Sequence, residues 1–287
     1  MGEIGNKVAS LTSEEPIGII TPRSDTYGVD EAGRAYVYES IESKERKRLY
    51  ASYKRDKRHF TFTHMQRVLE ITESLTNKQC GYVLMLQPYI QYETNVLVTA
   101  GRNPKPLDIN AIAKIFGIQR RYAKQAIQTL TDASVIMENG DQYLMNERYH
   151  FRKKAGGKAD MLVKTFHTAV KGLKLSPSEL GIIYKLIPFI HYNSNLLCSN
   201  PHEKDDNNVN VLSKSQIASL LGISRQKFDQ VIKELTLQGV VAEVKRKATF
   251  APNARGDGRE IVILINPSIA TRLRGDPGST IKQIFGL

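Results

Sequence analysis

The chain has little of what catalytic and membrane proteins are commonly built around. Its 287 residues include two cysteines, Cys80 and Cys198. Neither is half of a Cys-x-x-Cys pair, which leaves no zinc-ribbon spacing and no disulfide framework. Both sit in apolar, helix-like sequence, so the expectation is two buried, reduced thiols in a cytosolic protein. Long hydrophobic runs are missing as well. The longest unbroken aliphatic stretch is Ile261–Ile265, far short of the ~20 apolar residues that a membrane span needs. Met1 to Ser13 is polar, without the apolar segment behind a basic start that marks a secretory signal. Cytoplasmic location and no membrane contact are expected.

Catalytic spacings are equally scarce. The histidines (His59, His64, His150, His167, His191, His202) include no His-x-His pair, which argues against a metal-dependent rolling-circle nuclease. Gly156-Gly157-Lys158-Ala159 lacks both the spacing and the hydroxyl of a phosphate-binding loop. There is no His-Glu-x-x-His and no zinc spacing. His64-Met65-Gln66-Arg67 matches the His-x-x-Arg of tyrosine recombinases, but those enzymes need another Arg and a nucleophilic Tyr in a larger helical domain. The expectation is a protein that is not an enzyme and carries no cofactor or metal.

What the chain does have is positive charge. Lys and Arg number 41 against 29 Asp and Glu, a formal net charge of +12. Such a surplus attracts polyanions, nucleic acid first and an anionic membrane surface second.

It also has an internal duplication. Leu75–Val98 lies over Leu175–Cys198 at a shift of 100, with eight of 24 residues identical, among them Gly81/Gly181, Pro88/Pro188, Tyr92/Tyr192 and Asn95/Asn195. After an insertion in the second copy, Leu107–Ile136 lies over Leu212–Val241 at a shift of 105, with Ile112/Ile217, Gly117/Gly222, Arg120/Arg225 and Leu130/Leu235 among the identities. Two gap-free blocks in one order identify a repeat.

Each copy reads as helix, loop, helix, tight turn, helix, hairpin. Thr76 and Ser176 suit helix N-caps, and the long apolar helices that follow are expected to bend at Pro88 and Pro188. Tyr82, Tyr89, Tyr92, Tyr184, Phe189 and Tyr192 form stripes that predict core packing. Asp108 and Ser213 cap second helices that end at Gly117 and Gly222, where glycine takes the left-handed conformation cheaply. Third helices begin at Gln119 and Ser224. Asn139-Gly140-Asp141 then predicts a hairpin turn. The second copy has strands at Val240–Val244 and Glu260–Ile265 around a loop, Lys245 to Arg259. Helix, glycine turn, helix and hairpin make a winged helix-turn-helix pattern.

The paired copies, with "GYVLMLQPYIQYETN", "LGIIYKLIPFIHYNSN" and Ile265-Asn266-Pro267, resemble bacterial winged-helix regulators. They look like phage- and plasmid-encoded replication or regulatory proteins of Gram-positive bacteria, over roughly Phe60 to Arg272. The implied fold class is mainly α with small β-hairpins (α+β), as two tandem winged helix-turn-helix domains. The expected organisation is a leader and basic arm (1–58), domains at 59–155 and 156–274, and a tail (275–287).

In a helix-turn-helix the leading residues of the third helix enter the major groove. These are Arg120, Arg121, Lys124 and Gln125 in the first copy and Arg225, Gln226, Lys227 and Gln230 in the second. Arg and Lys suit guanine edges and Gln suits adenine. Lys245, Arg246, Lys247, Arg255 and Arg259 are expected in a basic wing loop suited to phosphate contact or minor-groove insertion. Glu42–His59 carries eight Lys/Arg against three Asp/Glu and reads either as an arm along phosphates or as a solvated helix. The first 40 residues suggest a loose leader or a short hairpin. The expected partner is double-stranded DNA, bound by a monomer or homodimer acting as a transcriptional regulator. Alternatives are a replication initiator on repeated origin sites, with host replication or transcription proteins as further partners, and a protein-interaction scaffold.

Overall fold

A computed structural model describes residues 8–10, 18–23, 27–38, 58–156, 159–247, 259–273, 275 and 277–287. They belong to two compact units: Met1–Asp56 with Arg274–Asp276, and Lys57–Leu273 with Pro277–Leu287. Helices and small antiparallel sheets both contribute, so the fold is mixed α and β.

In the first unit β1 (Val8–Ser10), β2 (Thr21–Pro22), β3 (Tyr27–Val29) and β4 (Ala35–Tyr38) form an antiparallel sheet of order β1-β4-β3-β2. Asp30 organises the β3–β4 turn. Its Oδ1 accepts from the Ala32 and Arg34 backbone N–H groups at 2.9 Å, and its Oδ2 accepts from Arg34 Nε at 2.9 Å and the buried Tyr36 hydroxyl at 3.0 Å. A leader or short hairpin understates this region. A side chain that satisfies the turn's free donors is a local signal that a count of Gly and Pro passes over.

The second unit is built twice over. β5 (Phe60–His64) leads into α1 (Met65–Thr72), α2 (Asn77–Leu86), a 3-10 turn (Gln87–Tyr89), α3 (Ile109–Phe116) and α4 (Arg120–Asp132). The hairpin β6 (Ile136–Asn139) and β7 (Gln142–Met145) follows, then β8 (His150–Phe151). The same order recurs as β9 (Leu162–Phe166), α5 (His167–Gly172), α6 (Pro177–Leu186), a 3-10 turn (Ile187–Phe189), α7 (Lys214–Leu220) and α8 (Arg225–Leu237). Its hairpin is β10 (Val241–Lys247) and β11 (Arg259–Ile265), followed by β12 (Ala270–Thr271). A further helix, α9 (Ser279–Phe285), comes last.

α2 and α6 form the centre. Thr76 with Gln79, and Ser176 with Glu179, close reciprocal capping boxes at their starts, satisfying free N–H groups. Both helices are buried on nearly every side: Cys80, Tyr82, Val83, Leu84 and Leu86 in one, Leu180, Ile182, Ile183, Tyr184 and Leu186 in the other. Pro88 and Pro188 end them in 3-10 turns. They cross where both lack side chains. A Cβ on Gly81 would stand 1.7 Å from the Pro177 carbonyl oxygen, and one on Gly181 would stand 1.6 Å from that of Asn77. Only glycine permits this approach.

Beside the crossing, β5 and β9 pair antiparallel, with β8 outside β5 and β12 outside β9. One hydrophobic cluster runs through both repeats, from Val83, Phe116 and Ile127 to Ile183, Phe228 and Ile232. Asn95 and Asn195 lock each repeat. Both are buried with φ of 57° and 54°. Asn95 Nδ2 donates to the Met145 and His150 carbonyls at 3.0 and 2.7 Å, and Asn195 Nδ2 to those of Ile265 and Ala270 at 3.0 and 2.8 Å. Each thereby ties its hairpin back to the sheet.

Several expectations shift. The repeat begins earlier than Leu75 and Leu175, because β5 with α1 and β9 with α5 precede the two central helices in the same order. Cys198 is buried as expected and outside any disulfide, but lies in a β-bridge with Val211 instead of a helix. Tyr92, expected in the core, is 48% exposed. The expected tail contains α9, whose Ile284 and Phe285 pack on Leu196, Val262 and Leu264.

Candidate nucleic-acid interface

Each repeat presents a helix with a cationic first turn. In the first, Asp108 caps α3 by accepting from the Ala111 N–H at 2.7 Å, and that bond holds its carboxyl below the usual range. Gly117 ends α3 at φ 67°, Ile118 packs on the core, and α4 starts at Arg120. Ala123, Ile127 and Leu130 face inward. Arg120, Arg121, Lys124 and Gln125 are left exposed. The Arg121 guanidinium lies 4.8 Å over the Tyr122 ring and donates to that hydroxyl at 2.8 Å. No Asp or Glu occurs on α4 before Asp132, so nothing on its own helix neutralises this turn.

In the second repeat Ser213 caps α7, Gly222 turns the chain at φ 64°, and Ser224 caps α8 by accepting from the Lys227 N–H at 3.2 Å. Phe228, Val231, Ile232 and Leu235 are buried, while Arg225, Gln226, Lys227 and Gln230 are exposed. Asp229 alters the electrostatics here. Arg225 Nε lies 3.0 Å from Asp229 Oδ2, and Arg225 Nη1 donates to Ser215 Oγ at 3.1 Å. Lys214 Nζ lies 3.7 Å from Asp229 and pairs closely with Glu243 on β10. A hollow of about 260 Å³ lined by Lys214, Arg225, Glu260 and Ile261 joins this turn to β11.

The hairpins contrast in the opposite sense. β6–β7 turns at Asn139-Gly140-Asp141 with Glu138 exposed, an acidic tip. β10–β11 pairs from Val241↔Ile265 out to Lys247↔Arg259. Lys245, Arg246, Lys247 and Arg259, expected in a loop, therefore lie on paired strands, with Lys245 exposed opposite Ile261. The charged run hid the ladder, since strand propensity favours β-branched and aromatic residues over Lys. Arg255 and residues 42–57 of the basic arm lie outside the described residues.

Two cations escaped the sequence reading. Lys78, at the start of α2, lines a groove of about 510 Å³ with Tyr82, Tyr122 and Gln125. Lys114 on α3 lines a second hollow, of about 530 Å³, with Gln119 and Tyr122. Both flank the exposed face of α4. Lys78 lies more than 40 positions from that face in sequence, so packing alone joins them.

The buried polar groups do structural work. His150 Nε2 and the Tyr184 hydroxyl are 2.7 Å apart, His150 Nδ1 and Thr63 Oγ1 3.0 Å, and His167 Nε2 and Thr61 Oγ1 2.8 Å. Burial pushes the pKa of His150 down to about 3. His167 falls to about 3 through burial first and then the neighbouring Arg152, His59 and Lys171. Both rings are neutral near pH 7. Arg152 and Arg272 occupy equivalent places and donate to the Ile90 and Ile190 carbonyls at 3.2 and 3.1 Å. Among the described residues no three His, Cys, Asp or Glu side chains gather as a metal site. No helix there is long and apolar enough to cross a membrane.

No family model matches the chain, and no curated protein matches it. Among solved structures, the DIP2311 protein of Corynebacterium diphtheriae aligns over 83% of this chain and 33% of its own, at 11% identity and a TM-score of 0.17. The chain thus spans about a third of that protein's length, and a likeness this slight carries no argument.

Proposed function

We propose that the chain is a double-stranded DNA-binding protein of phage or plasmid type that acts as a transcriptional regulator. In this reading each repeat is a winged helix-turn-helix, α4 and α8 read the major groove, and the hairpins are wings. The protein acts by binding and not by chemistry, in the cytoplasm. The observation that carries the reading is the pair of exposed cationic helix starts, each presented after a glycine turn by an equivalent scaffold. The net charge of +12 supports it, since phosphate contact supplies much of the affinity for DNA.

The test is fluorescence anisotropy on duplexes selected from a random pool. Arg120→Ala with Arg121→Ala is expected to weaken specific binding by about 1–3 kcal/mol per lost base contact, whereas Lys78→Ala lowers the salt slope by about one without changing sequence preference. Unchanged affinity in the double variant removes α4 from the interface.

A further inference from the structure

We infer that a single chain reads an inverted pair of unequal half-sites, a quasi-palindromic duplex, across an internal two-fold axis. This rests on the DNA-binding reading above and adds to it the symmetry of the site.

Reciprocal contacts define the axis. In the β5–β9 ladder Phe62 pairs with Lys164. These are equivalent positions, each the third residue of its strand and three before the following helix. Phe60↔Phe166 and His64↔Leu162 repeat the relation end for end. At the helix crossing Gly81 meets the Pro177 carbonyl and Gly181 meets that of Asn77, again an equivalent pair. α1 packs on the 3-10 turn Ile187–Phe189, and α5 packs on Gln87–Tyr89. Repeats related by translation join unlike faces. Only a two-fold brings residue i to j and residue j to i together.

Within each repeat the same devices hold the reading helix: a capped helix, a left-handed glycine and an aliphatic inner face. α4 and α8 are therefore related by the same axis. Two equivalent readers on a two-fold meet a duplex equivalently only when their axis coincides with a DNA dyad, so the half-sites are inverted.

The half-sites differ because the readers differ. Arg120/Arg225 and Gln125/Gln230 match, but Arg121 corresponds to Gln226, Tyr122 to Lys227 and Lys124 to Asp229. Arg120 and Lys124 are like charges at i,i+4, whereas Arg225 and Asp229 at the same spacing pair at 3.0 Å. The first repeat supplies the dominant half-site. Asp229 mutes the second by holding the guanidinium that would reach a base.

The test presents the full chain with duplexes randomised over ~40 base pairs, room for two half-sites separated by one or two helical turns. Sequencing of the bound fraction is expected to give one strong and one weak submotif in inverted orientation, and native mass spectrometry one chain per duplex. Arg225→Ala is expected to erase the weak submotif and spare the strong one, and Asp229→Asn to lower Kd several-fold on the selected duplex. Both replace exposed side chains, and circular dichroism checks that each variant is folded. Submotifs in direct orientation, one continuous motif, two chains per duplex or two duplexes per chain overturn the inference while leaving DNA binding standing. No enrichment, with no salt-dependent retention of any duplex, overturns the DNA-binding reading and this inference with it.

Discussion

Ser134 turns the first repeat out of α4 at φ 56°, where the second repeat has Gly239 at 66°. The carbonyls of both accept from an asparagine, Asn146 Nδ2 at 2.7 Å and Asn266 Nδ2 at 2.8 Å. A side chain in the left-handed region costs about 1–2 kcal/mol, so Ser134→Gly should stabilise the protein by up to about 1 kcal/mol, read as a higher urea midpoint. His150 makes a different prediction. Its pKa falls from 6.5 when unfolded to about 3 in the fold, so the unfolded chain binds the extra proton between those values. Its contribution is complete above pH 6.5 and is lost as pH falls from there towards 3. His150→Gln is expected to flatten the loss of stability across that window, measured by urea titrations at several pH values. Asn95 and Asn195 were legible as identities, but their clamping role was not. Arg152 and Arg272 were not legible at all: hairpins of unequal length change the shift between copies from 105 to 120, and an ungapped match stops there.

Among the elements, α3, α4, α7 and α8 were readable because caps, glycines and helical apolar spacing agree. β5 and β9 were passed over although Phe60-Thr61-Phe62-Thr63 alternates as a strand should. The aliphatic run Ile261–Ile265 carried a message only packing makes plain. Ile263 and Ile265 belong to the main core, while Val262 and Leu264 face Ile284 and Phe285 of α9. A strand covered on both faces loses its polar alternation. Phe285→Ser is expected to cost about 1–2 kcal/mol of burial. Hydrogen exchange should show this first, as faster exchange in β10 and β11 with β5 and β9 unchanged.

For the whole second unit, the duplication was visible in sequence but its geometry was not. A glycine in the middle of both central helices was the available clue, since glycine there weakens a helix unless something approaches closely. Because Asn77 and Pro177 each press on the opposite glycine, neither repeat can move alone. Gly181→Ala is expected to cost about 3 kcal/mol or more through overpacking. Circular dichroism and tyrosine fluorescence should then report one shared, lowered transition. Two separate transitions would contradict a common core.

When two identical chains associate, the residue on the symmetry axis must face its own copy. Here Phe62 faces Lys164, and each has its own employment: Phe62 lies beside Phe151, and Lys164 Nζ donates to the Leu273 carbonyl at 3.1 Å. Joining the halves covalently frees them from self-complementarity. It also frees them from dilution, because partners on one polypeptide stay together at any abundance. A cell holding a handful of copies keeps every one fully assembled.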